Sequence, residues 1–385
     1  MSGIVGFFNV KEKIMNSQEI LMNMNNKLMH RGSDKDGYYI GDNIALGFRT
    51  ILCGDNQPIS FNFEGNTYVI VYDGNIYNLK ELKLELEQYD FCFSTNSDAE
   101  VILKGYIHFR ESFVNKLNGV FAFAIFDKNQ NSLFIARDHF GIKPFYYTII
   151  NNTFVFASEI KALFQFPNVN PKMDSMGICE LIGIGPAHTP GVTVFKDIYE
   201  IKPAHYGIYS DGGFHSKSYW KLISKPHTDS LGKTCETIKY LLEDSIKKQL
   251  VSDLPVCSFL SGGLDSSIIS LYAANYYKVN DLKPLDTYSV DYVDNDKNFV
   301  KSDFQPNSDN YYIELMSKRL YSEHHNIVLD TPELADALEA AMIARDVPGM
   351  ADIDSSLLLF CKNVKPEASI ALTGECADEI FAGYP

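Results

Sequence analysis

The stretch from Leu260 to Ser267, which reads Leu-Ser-Gly-Gly-Leu-Asp-Ser-Ser, restricts the fold of this chain more than any other segment. It follows an apolar run, Val256 to Leu260, that is typical of a buried strand, and it precedes a run with helical spacing, Ile268 to Tyr277. A strand, a glycine loop and a helix start direct backbone N–H groups and serine hydroxyls to one place, which suits a phosphate. Asp265 would repel a bare phosphate, so it indicates a divalent cation between the two. A Gly-Gly turn with a serine helix cap is the plainer alternative.

A second segment of the same kind lies near residue 370. The apolar run Ala368 to Leu372 predicts a short strand, and it leads into Thr373-Gly374-Glu375-Cys376-Ala377-Asp378-Glu379. In an open parallel sheet, ligands bind at the carboxyl ends of the strands. We therefore expect the two loops to face one nucleotide, with Asp265 and Asp378 as metal ligands.

Together the two segments resemble the ATP pyrophosphatase loop and the later Ser-Gly-Glu-Gly-Ser-Asp-Glu loop of the glutamine-dependent asparagine synthetases. Here Thr373 stands for the family's Ser, and Cys376-Ala377 stands for Gly-Ser. The resemblance implies a ligase that binds ATP and Mg²⁺ and releases pyrophosphate, with Glu375 as a catalytic residue and the backbone of Leu260 and Val290 at the adenine. The ATP-binding residues that it implies are Leu260, Ser261, Gly262, Gly263, Leu264, Asp265, Ser266, Val290, Thr373 and Gly374.

The chain begins with a strand, Met1 to Phe8, that starts almost at the first residue. Chain ends fray unless they are held, so a strand there suggests that the end has a role. If Met1 is removed, Ser2 becomes the N-terminus, and its α-amine can act as a base for its own hydroxyl. The plainer interpretation is an edge strand with a serine that permits removal of Met1.

Several later segments resemble the glutamine amidotransferase domain that precedes the synthetase domain in the same family. They cover the first half of the chain in the family's order: His30-Arg31-Gly32-Ser33-Asp34, Gly47-Phe48-Arg49, Gln57-Pro58-Ile59-Ser60, Val71 to Asn78, Ser97-Asp98-Ala99-Glu100, Leu117 to Phe123 and Ala136 to Pro144. The resemblance places the nucleophile at Ser2 and the oxyanion hole at Asp73 and Gly74. It assigns glutamine binding to Arg49, Asn75 and Asp98.

These assignments also have plainer alternatives. A guanidinium suits the carboxylate of glutamine and an acid suits its ammonium group. However, Arg49 could be a surface arginine, and Asp98 could be a first-turn acid of a helix that Ser97 and Glu100 cap.

Two positions depart from the family. Ser2 replaces a cysteine, but related N-terminal nucleophile hydrolases also use a serine as the nucleophile. Asp73 replaces an Asn whose amide donates to the oxyanion, and a carboxylate offers only acceptors there. Loss of one such donor costs roughly 10² to 10³ in rate. We therefore expect glutamine hydrolysis to be strongly impaired or absent.

Composition and pattern set the fold class. The 385 residues suffice for more than one core, and the net charge of −15 argues against nucleic acid or an anionic membrane as a partner. Seven scattered cysteines, the absence of an apparent signal peptide and the lack of an apolar run long enough to span a membrane favour a cytoplasmic protein. The resemblance implies an α+β N-terminal nucleophile hydrolase-type αββα sandwich, and alternating strands and helices predict an α/β parallel-sheet ATP-pyrophosphatase domain after it. We expect the first domain over 1–205, a linker over 206–232 and the second domain over 233–385.

Further expectations concern single residues. Trp220 is expected to pack in the linker region rather than bind a ligand, and Thr331 to cap the helix that runs from Leu334 to Arg345. His324 and His325 are adjacent in a predicted strand, so they should point to opposite faces and not form a metal pair.

The identity of the substrate that accepts nitrogen and the extent of the synthetase part leave alternatives open. The segment Asp346 to Ser356 lacks the Thr-Thr-x-Arg of some family members, so aspartate as the acceptor rests on the resemblance alone. The chain stops soon after the second loop, where the family's synthetase domain continues, so we expect the synthetase part to be incomplete in this chain. It would then act as part of a glutamine- or ammonia-dependent asparagine synthetase. Alternatively, it is a non-catalytic homologue, or one that pairs as a homodimer or with a separate C-terminal half.

Overall fold

A computed structural model describes residues 2–51, 56–252, 254–301, 307–381 and 383. The chain divides into two compact units, Met1–Ser224 and Lys225–Pro385. Each unit has its own hydrophobic clusters, so we describe each by itself.

The first unit is built on two six-stranded sheets. Its strands are β1 (Ser2–Asn9), β2 (Lys35–Ile40), β3 (Ile44–Thr50), β4 (Ile59–Phe63), β5 (Asn66–Ile76), β6 (Gly119–Asp127), β7 (Ser132–Arg137), β8 (Tyr146–Ile150), β9 (Thr153–Ala157), β10 (Tyr199–Glu200), β11 (His205–Ser210) and β12 (Gly213–Ser218). One sheet has the order β10-β8-β9-β1-β3-β2 and the other β12-β11-β7-β6-β5-β4, and neighbouring strands in both are antiparallel.

Helices cover the outer faces of both sheets. They are α1 (Ser17–Asn26), α2 (Leu79–Glu87), α3 (Asp98–Phe109) and α4 (Ile160–Leu163), and a further short helix of the unit is α5 (Ser175–Cys179). One apolar cluster joins α2 and α3 to the second sheet, a second fills the space between the sheets, and a third joins α1 and α4 to the first sheet. The layers are therefore helix, sheet, sheet, helix, which confirms the expected αββα sandwich.

Strand β1 lies in the interior of its sheet. It pairs with β3 on one side and with β9 on the other. The alternative interpretation of an edge strand is therefore wrong, because both rows of backbone groups of β1 are hydrogen-bonded. This pairing anchors Ser2 at the very start of the described chain.

The expected linker at 206–232 begins too early. Residues 205–218 form the hairpin β11–β12, and β11 pairs with β7 of the second sheet. The turn residues Asp211-Gly212-Gly213 close this hairpin and do not mark a domain boundary. Just beyond it, Trp220 packs edge-on against His139 and Phe140, in agreement with the expected packing role.

The second unit alternates helices and strands. In chain order its elements are α6 (Leu231–Gln249), β13 (Val256–Phe259), α7 (Leu264–Val279), β14 (Leu285–Tyr292), α8 (Asn295–Asn298), α9 (Asn310–Ser317), β15 (Ser322–Leu329), α10 (Thr331–Asp336), α11 (Leu338–Arg345), α12 (Ala351–Val364), β16 (Ile370–Leu372) and α13 (Ala377–Phe381). Its strands form a four-stranded parallel sheet of order β15-β14-β13-β16. Apolar residues of α6 and α7 pack on one face of the sheet and those of α12 on the other, so the unit is doubly wound as expected.

The cap of α10 differs from the expectation. Asp330, not Thr331, is the N-cap residue, and its side chain forms a capping box with Glu333. Asp330 has extended backbone angles, whereas Thr331 already lies in the first turn. The expected single helix is also interrupted, since Ala337 separates α10 from α11.

The two histidines of β15 face opposite sides of the sheet as expected. His324 lies near the hydroxyls of Thr287 and Ser289, whereas His325 contacts Asp286 and stacks on Tyr288. In the described part of the chain, no helix is both long and apolar enough to cross a membrane.

Candidate functional sites

A cavity of about 620 Å³ lies in the second unit, at the carboxyl ends of its strands. Strands β13 and β16 are parallel neighbours, with Ser258 opposite Leu372. The loops that follow them, Leu260–Ser266 and Thr373–Glu375, therefore emerge at the same edge of the sheet. Both loops line the cavity.

The first loop is shaped by its glycines and serines. Gly262 has a positive φ of 82°, a conformation that residues with a Cβ rarely adopt. Ser266 in the first turn of α7 lies 2.9 Å, oxygen to oxygen, from the hydroxyl of Ser261, and Ser266 Oγ accepts the backbone N–H of Ser261. The loop is thus folded back on the start of α7, where free N–H groups favour an anion.

The second loop approaches the first very closely. A Cβ on Gly374 would lie 2.8 Å from the backbone nitrogen of Ser266 and 3.0 Å from the Cβ of Asp265. Only a glycine fits this contact without displacing one loop. The two segments that the sequence singled out, far apart in the chain, are therefore in contact around one cavity.

Most of the expected nucleotide residues line this cavity. They are Leu260, Ser261, Gly263, Asp265, Ser266, Val290, Thr373, Gly374 and Glu375. Gly262 and Leu264 belong to the same loop but are not part of the lining, and Leu264 is exposed.

Asp378 is not part of this lining. It lies in the short helix α13, and its pairing with Asp265 as a metal ligand stays a prediction. Among the residues that the structure describes, no group of three or more His, Cys, Asp or Glu is arranged to hold a metal ion.

The cavity also contains polar residues that the sequence analysis did not single out. Asp291, near the end of β14, accepts hydrogen bonds from the amides of Asn295 at 2.7 Å and Asn310 at 2.9 Å, and all three residues line the cavity. In the same lining, the hydroxyls of Tyr292 and Ser356 lie 2.7 Å apart. Ser356 ends the segment Asp346 to Ser356, and the other four residues belong to none of the quoted motifs.

The candidate site of the first unit lies between its two sheets. Side chains alternate along a strand, so Ser2 lies on the same side of β1 as Ile4 and Phe8, which belong to the intersheet cluster. By the same alternation, Asp73 lies on the side of β5 that carries Val69 and Val71. The expected nucleophile and the expected oxyanion residue therefore face one layer.

Arg31 connects these two residues. Its Nη1 donates to the backbone oxygen of Ser2 at 3.4 Å and lies 3.8 Å from Asp73 Oδ2. The Ser2 hydroxyl itself lies 3.3 Å from the hydroxyl of Thr50.

Asp73 is a buried acid, with 1% of its surface exposed. Its Oδ1 accepts from Lys143 Nζ at 3.1 Å, whereas its buried Oδ2 has no hydrogen-bond donor among the described residues. The ion pair explains how the fold accommodates a carboxylate at this point. It also means that two cations, Lys143 and Arg31, are directed at Asp73 rather than at a ligand.

A second buried acid, Glu159, holds the other side of Arg31. It accepts from Arg31 Nε, from Lys161 and from His30 Nε2 at 2.8 Å. Burial alone would raise the pKa of Glu159, but the hydrogen bond from His30 and the charges of Arg31 and Lys161 outweigh burial and hold it at about 2. In the sequence, His30, Arg31 and Lys143 belong to quoted motifs without an assigned role, and Glu159 belongs to none of these motifs.

The structure does not bring Arg49 to Ser2. Arg49 lies on the opposite face of β3, where its Nε donates to the backbone oxygen of Asn25 at 2.8 Å and its Nη2 to Asn26 Oδ1 at 2.7 Å. Thr50, the next residue, faces Ser2 instead. The expected contact of Arg49 with a glutamine carboxylate is therefore not supported by its position, and neither is a surface location, because Arg49 is buried.

The remaining expected residues lie at the end of β5 and beyond. Asp98 Oδ2 accepts from the Tyr72 hydroxyl and from the backbone N–H of Ile76, both at 2.8 Å, so Asp98 fixes the end of β5. Asn75 is exposed. Gly74 lies so close to β6 that a Cβ would be 2.3 Å from the backbone oxygen of Val120.

Comparison with known proteins agrees with this division. A family model described as a glutamine amidotransferase domain matches residues 1–220, and one described as asparagine synthase matches residues 237–385. The chain is 43% identical over its whole length to asparagine synthetase 3 (glutamine-hydrolysing) of Bacillus subtilis and covers 63% of that protein. It is 34% identical to asparagine synthetase 1 (glutamine-hydrolysing) of the same organism, again over its whole length, and covers 59% of it.

A third relative is asparagine synthetase B (glutamine-hydrolysing) of Escherichia coli. It is 29% identical to this chain over the whole length of the chain, and the chain covers 65% of it. The chain thus spans about three fifths of the length of these relatives. With the two family matches and the observed fold, the chain belongs to the glutamine amidotransferase family and carries an asparagine synthase domain behind its amidotransferase domain.

Proposed function

We propose that this chain belongs to an asparagine synthetase of the glutamine-dependent type, in which the second unit binds ATP and activates the carboxylate of aspartate. The observation that carries the proposal is the contact between the loops Leu260–Ser266 and Thr373–Glu375 around one cavity at the carboxyl edge of a parallel sheet. This is where open α/β sheets bind their ligands. The relatives bearing that name support the choice of reaction.

The residues of the cavity fit magnesium-bound ATP. The start of α7 and the hydroxyls of Ser261 and Ser266 supply donors for phosphate oxygens. Mg²⁺ usually takes only one or two protein carboxylates and otherwise binds water and phosphate, so Asp265 alone can hold it against the triphosphate. Glu375 remains the proposed catalytic residue of the second loop, and Asp378 remains a proposed metal ligand outside the lining of the cavity.

In the same proposal the first unit is a glutamine amidotransferase domain with impaired hydrolysis. Ser2 is the nucleophile, and Gly74 provides the remaining oxyanion donor. The carboxylate of Asp73 lies on the intersheet face that Ser2 shares, and it is paired with Lys143. It would oppose the negative charge that develops on the carbonyl oxygen of glutamine. Ammonia from solution would then be the more effective nitrogen donor.

Binding of ATP tests the proposal most directly. Titration of the full chain with magnesium and ATP in a calorimeter should give saturable binding, and Asp265→Asn should weaken the affinity roughly tenfold or more, because the metal loses its carboxylate. Asp281→Asn is the matched control, since Asp281 is an exposed acid outside the cavity. Absence of ATP binding by the unaltered chain would exclude the proposed function.

A further inference from the structure

We infer that Asp291 reads the ribose of the bound nucleotide, so that the cavity selects ribonucleotides by accepting hydrogen bonds from a sugar hydroxyl. This inference rests on the proposed binding of ATP in the second unit. It assigns a specificity-determining role to a residue near the end of β14 that lies outside the quoted motifs.

The strand order places the nucleoside on the side of β14. The two phosphate-facing loops follow β13 and β16, which are neighbours, while β14 lies on the other side of β13. Neighbouring strands are about 4.8 Å apart, so the end of β14 is one strand spacing away from the phosphate loop. A ribose attached to phosphates over β13 and β16 would lie at that distance.

Asp291 is a fixed carboxylate. The Asn295 amide and the backbone N–H of Tyr292, at 2.9 Å, both donate to its Oδ1, and the Asn310 amide donates to its Oδ2. A carboxylate oxygen has about two acceptor sites, so Oδ1 is filled by its two donors, whereas Oδ2 has one donor and can still accept a ligand hydroxyl. Because the side chain is already held in place, little rotamer entropy is lost when the ligand binds.

The charge of Asp291 decides which part of the nucleotide it can contact. A carboxylate repels phosphate and accepts only from donors. In a nucleotide the donors are the ribose hydroxyls and the amino group of the base. The backbone groups at Leu260 and Val290 are the proposed partners of the base, which leaves the ribose hydroxyls for Asp291.

The test compares nucleotides that differ by one hydroxyl. Calorimetric titration of the full chain with magnesium and ATP, 2′-deoxy-ATP and 3′-deoxy-ATP should show that at least one deoxy analogue binds roughly tenfold more weakly than ATP, the usual effect of losing a hydrogen bond to a charged group. In Asp291→Asn this ratio should fall to about twofold. Asn310→Ala, which keeps the carboxylate but removes one of its donors, should give an intermediate ratio.

The control is Asp309→Asn, because Asp309 is another carboxylate of the cavity lining. It should leave the ratio of ATP to deoxy-ATP affinity unchanged. Equal binding of the three nucleotides by the unaltered chain, or an unchanged ratio in folded Asp291→Asn, overturns the inference while leaving the proposed ATP site intact. Failure of the unaltered chain to bind ATP would instead exclude the proposed function.

A titration with inosine triphosphate shows whether Asp291 contacts the ribose or the base of the nucleotide. This nucleotide keeps the ribose but lacks the amino group of adenine. The ratio of ATP to inosine triphosphate affinity should be the same in the unaltered chain and in Asp291→Asn. Loss of that ratio in the variant would show that Asp291 reads the base, and it would overturn the inference.

Discussion

Single residues decide the chemistry of the first unit. The double variant Ser2→Cys with Asp73→Asn supplies a thiol nucleophile and an amide donor for the oxyanion. We expect the rate of glutamate release from glutamine to equal the background rate in the unaltered chain. In the double variant the rate should rise roughly 10²-fold, which is the usual effect of one oxyanion donor on the rate. The measurement is a coupled assay of glutamate with the purified chain.

Each single variant serves as a control for this pair. Ser2→Cys keeps the opposing carboxylate, and Asp73→Asn keeps the hydroxyl, so both should remain near background. Arg49 faces α1 and not Ser2, so it does not supply a guanidinium for the carboxylate of glutamine. The Michaelis constant of the double variant for glutamine should therefore be high. Adding Thr50→Arg should lower it, because residue 50 faces Ser2. Robust hydrolysis by the unaltered chain would contradict the expectation.

The charge network around Glu159 makes a prediction about pH. Its pKa is held at about 2, below the ordinary value of 4.5, so its charged form stabilises the fold above pH 4.5 and this contribution is lost as the pH falls towards 2. At pH 7, Glu159→Gln should therefore lower the free energy of unfolding by roughly 2 to 3 kcal/mol. The difference from the unaltered chain should shrink towards zero near pH 2, as measured by urea unfolding. A pH-independent difference would contradict this account.

At the scale of elements, the sequence predicted the second unit better than the first. The apolar runs Val256 to Leu260 and Ala368 to Leu372 were expected as strands, and β13 and β16 lie within them. The hairpin β11–β12 was mistaken for a linker because Asp211-Gly212-Gly213 is equally typical of a hairpin turn and of a loose connection. Only its pairing with β7, which is a long-range contact, distinguishes the two.

The position of Arg49 shows why the candidate site was predicted only in part. Both faces of β3 are covered, one by α1 and the other by the second sheet, so all seven of its residues are buried. Without an alternating pattern, the sequence does not reveal which of two neighbouring residues faces Ser2. The glycine loops of the second unit were easier to predict from the sequence, because their backbone conformation and their close contact both require glycine.

The cap of α10 provides a test of the corrected helix start. Asp330→Ala should lower the stability of the second unit by about 1 kcal/mol, because both the side-chain cap and the capping box are lost. Thr331→Ala should change it by only a few tenths of a kcal/mol, since a residue already in the first turn does not cap the helix. Equal effects of the two substitutions in chemical unfolding would favour Thr331 as the cap.

The contact between the two loops gives a prediction about binding. Gly374→Ala places a methyl group within 3.0 Å of Asp265 Cβ and of the Ser266 backbone nitrogen, so one of the loops must move. We expect ATP affinity to fall roughly tenfold, with a much smaller change in the thermal midpoint, because the contact lies at a loop edge and not in the core. Gly232→Ala is the control, since a Cβ on Gly232 would have no neighbouring atom of the described residues within 4 Å. Unchanged ATP affinity in Gly374→Ala would contradict a shared site.

At the scale of the whole molecule, the two units differ in their response to acid. Three described carboxyl groups have a pKa of about 2, and all three, Glu100, Glu159 and Glu200, lie in the first unit. Each is buried, and burial alone would raise its pKa. Hydrogen bonds and neighbouring cations outweigh this effect: Lys104 at Glu100, His30 with Arg31 and Lys161 at Glu159, and His188 with Arg137 at Glu200.

Acid should therefore unfold the first unit before the second. Each of the three carboxylates stabilises the fold above pH 4.5 and loses that contribution as the pH falls towards 2, so the losses add in one unit. The only tryptophan, Trp220, lies in the first unit, so its fluorescence reports that unit, whereas circular dichroism reports helices of both. Between pH 5 and pH 3 we expect the thermal midpoint seen by fluorescence to fall by roughly 5 to 10 °C, and a later transition to remain in circular dichroism. Glu159→Gln should reduce the fall, because one of the titrating groups is removed. Coincident midpoints from the two probes at every pH would mean that the units unfold as one, and that the acids of the first unit stabilise the whole chain.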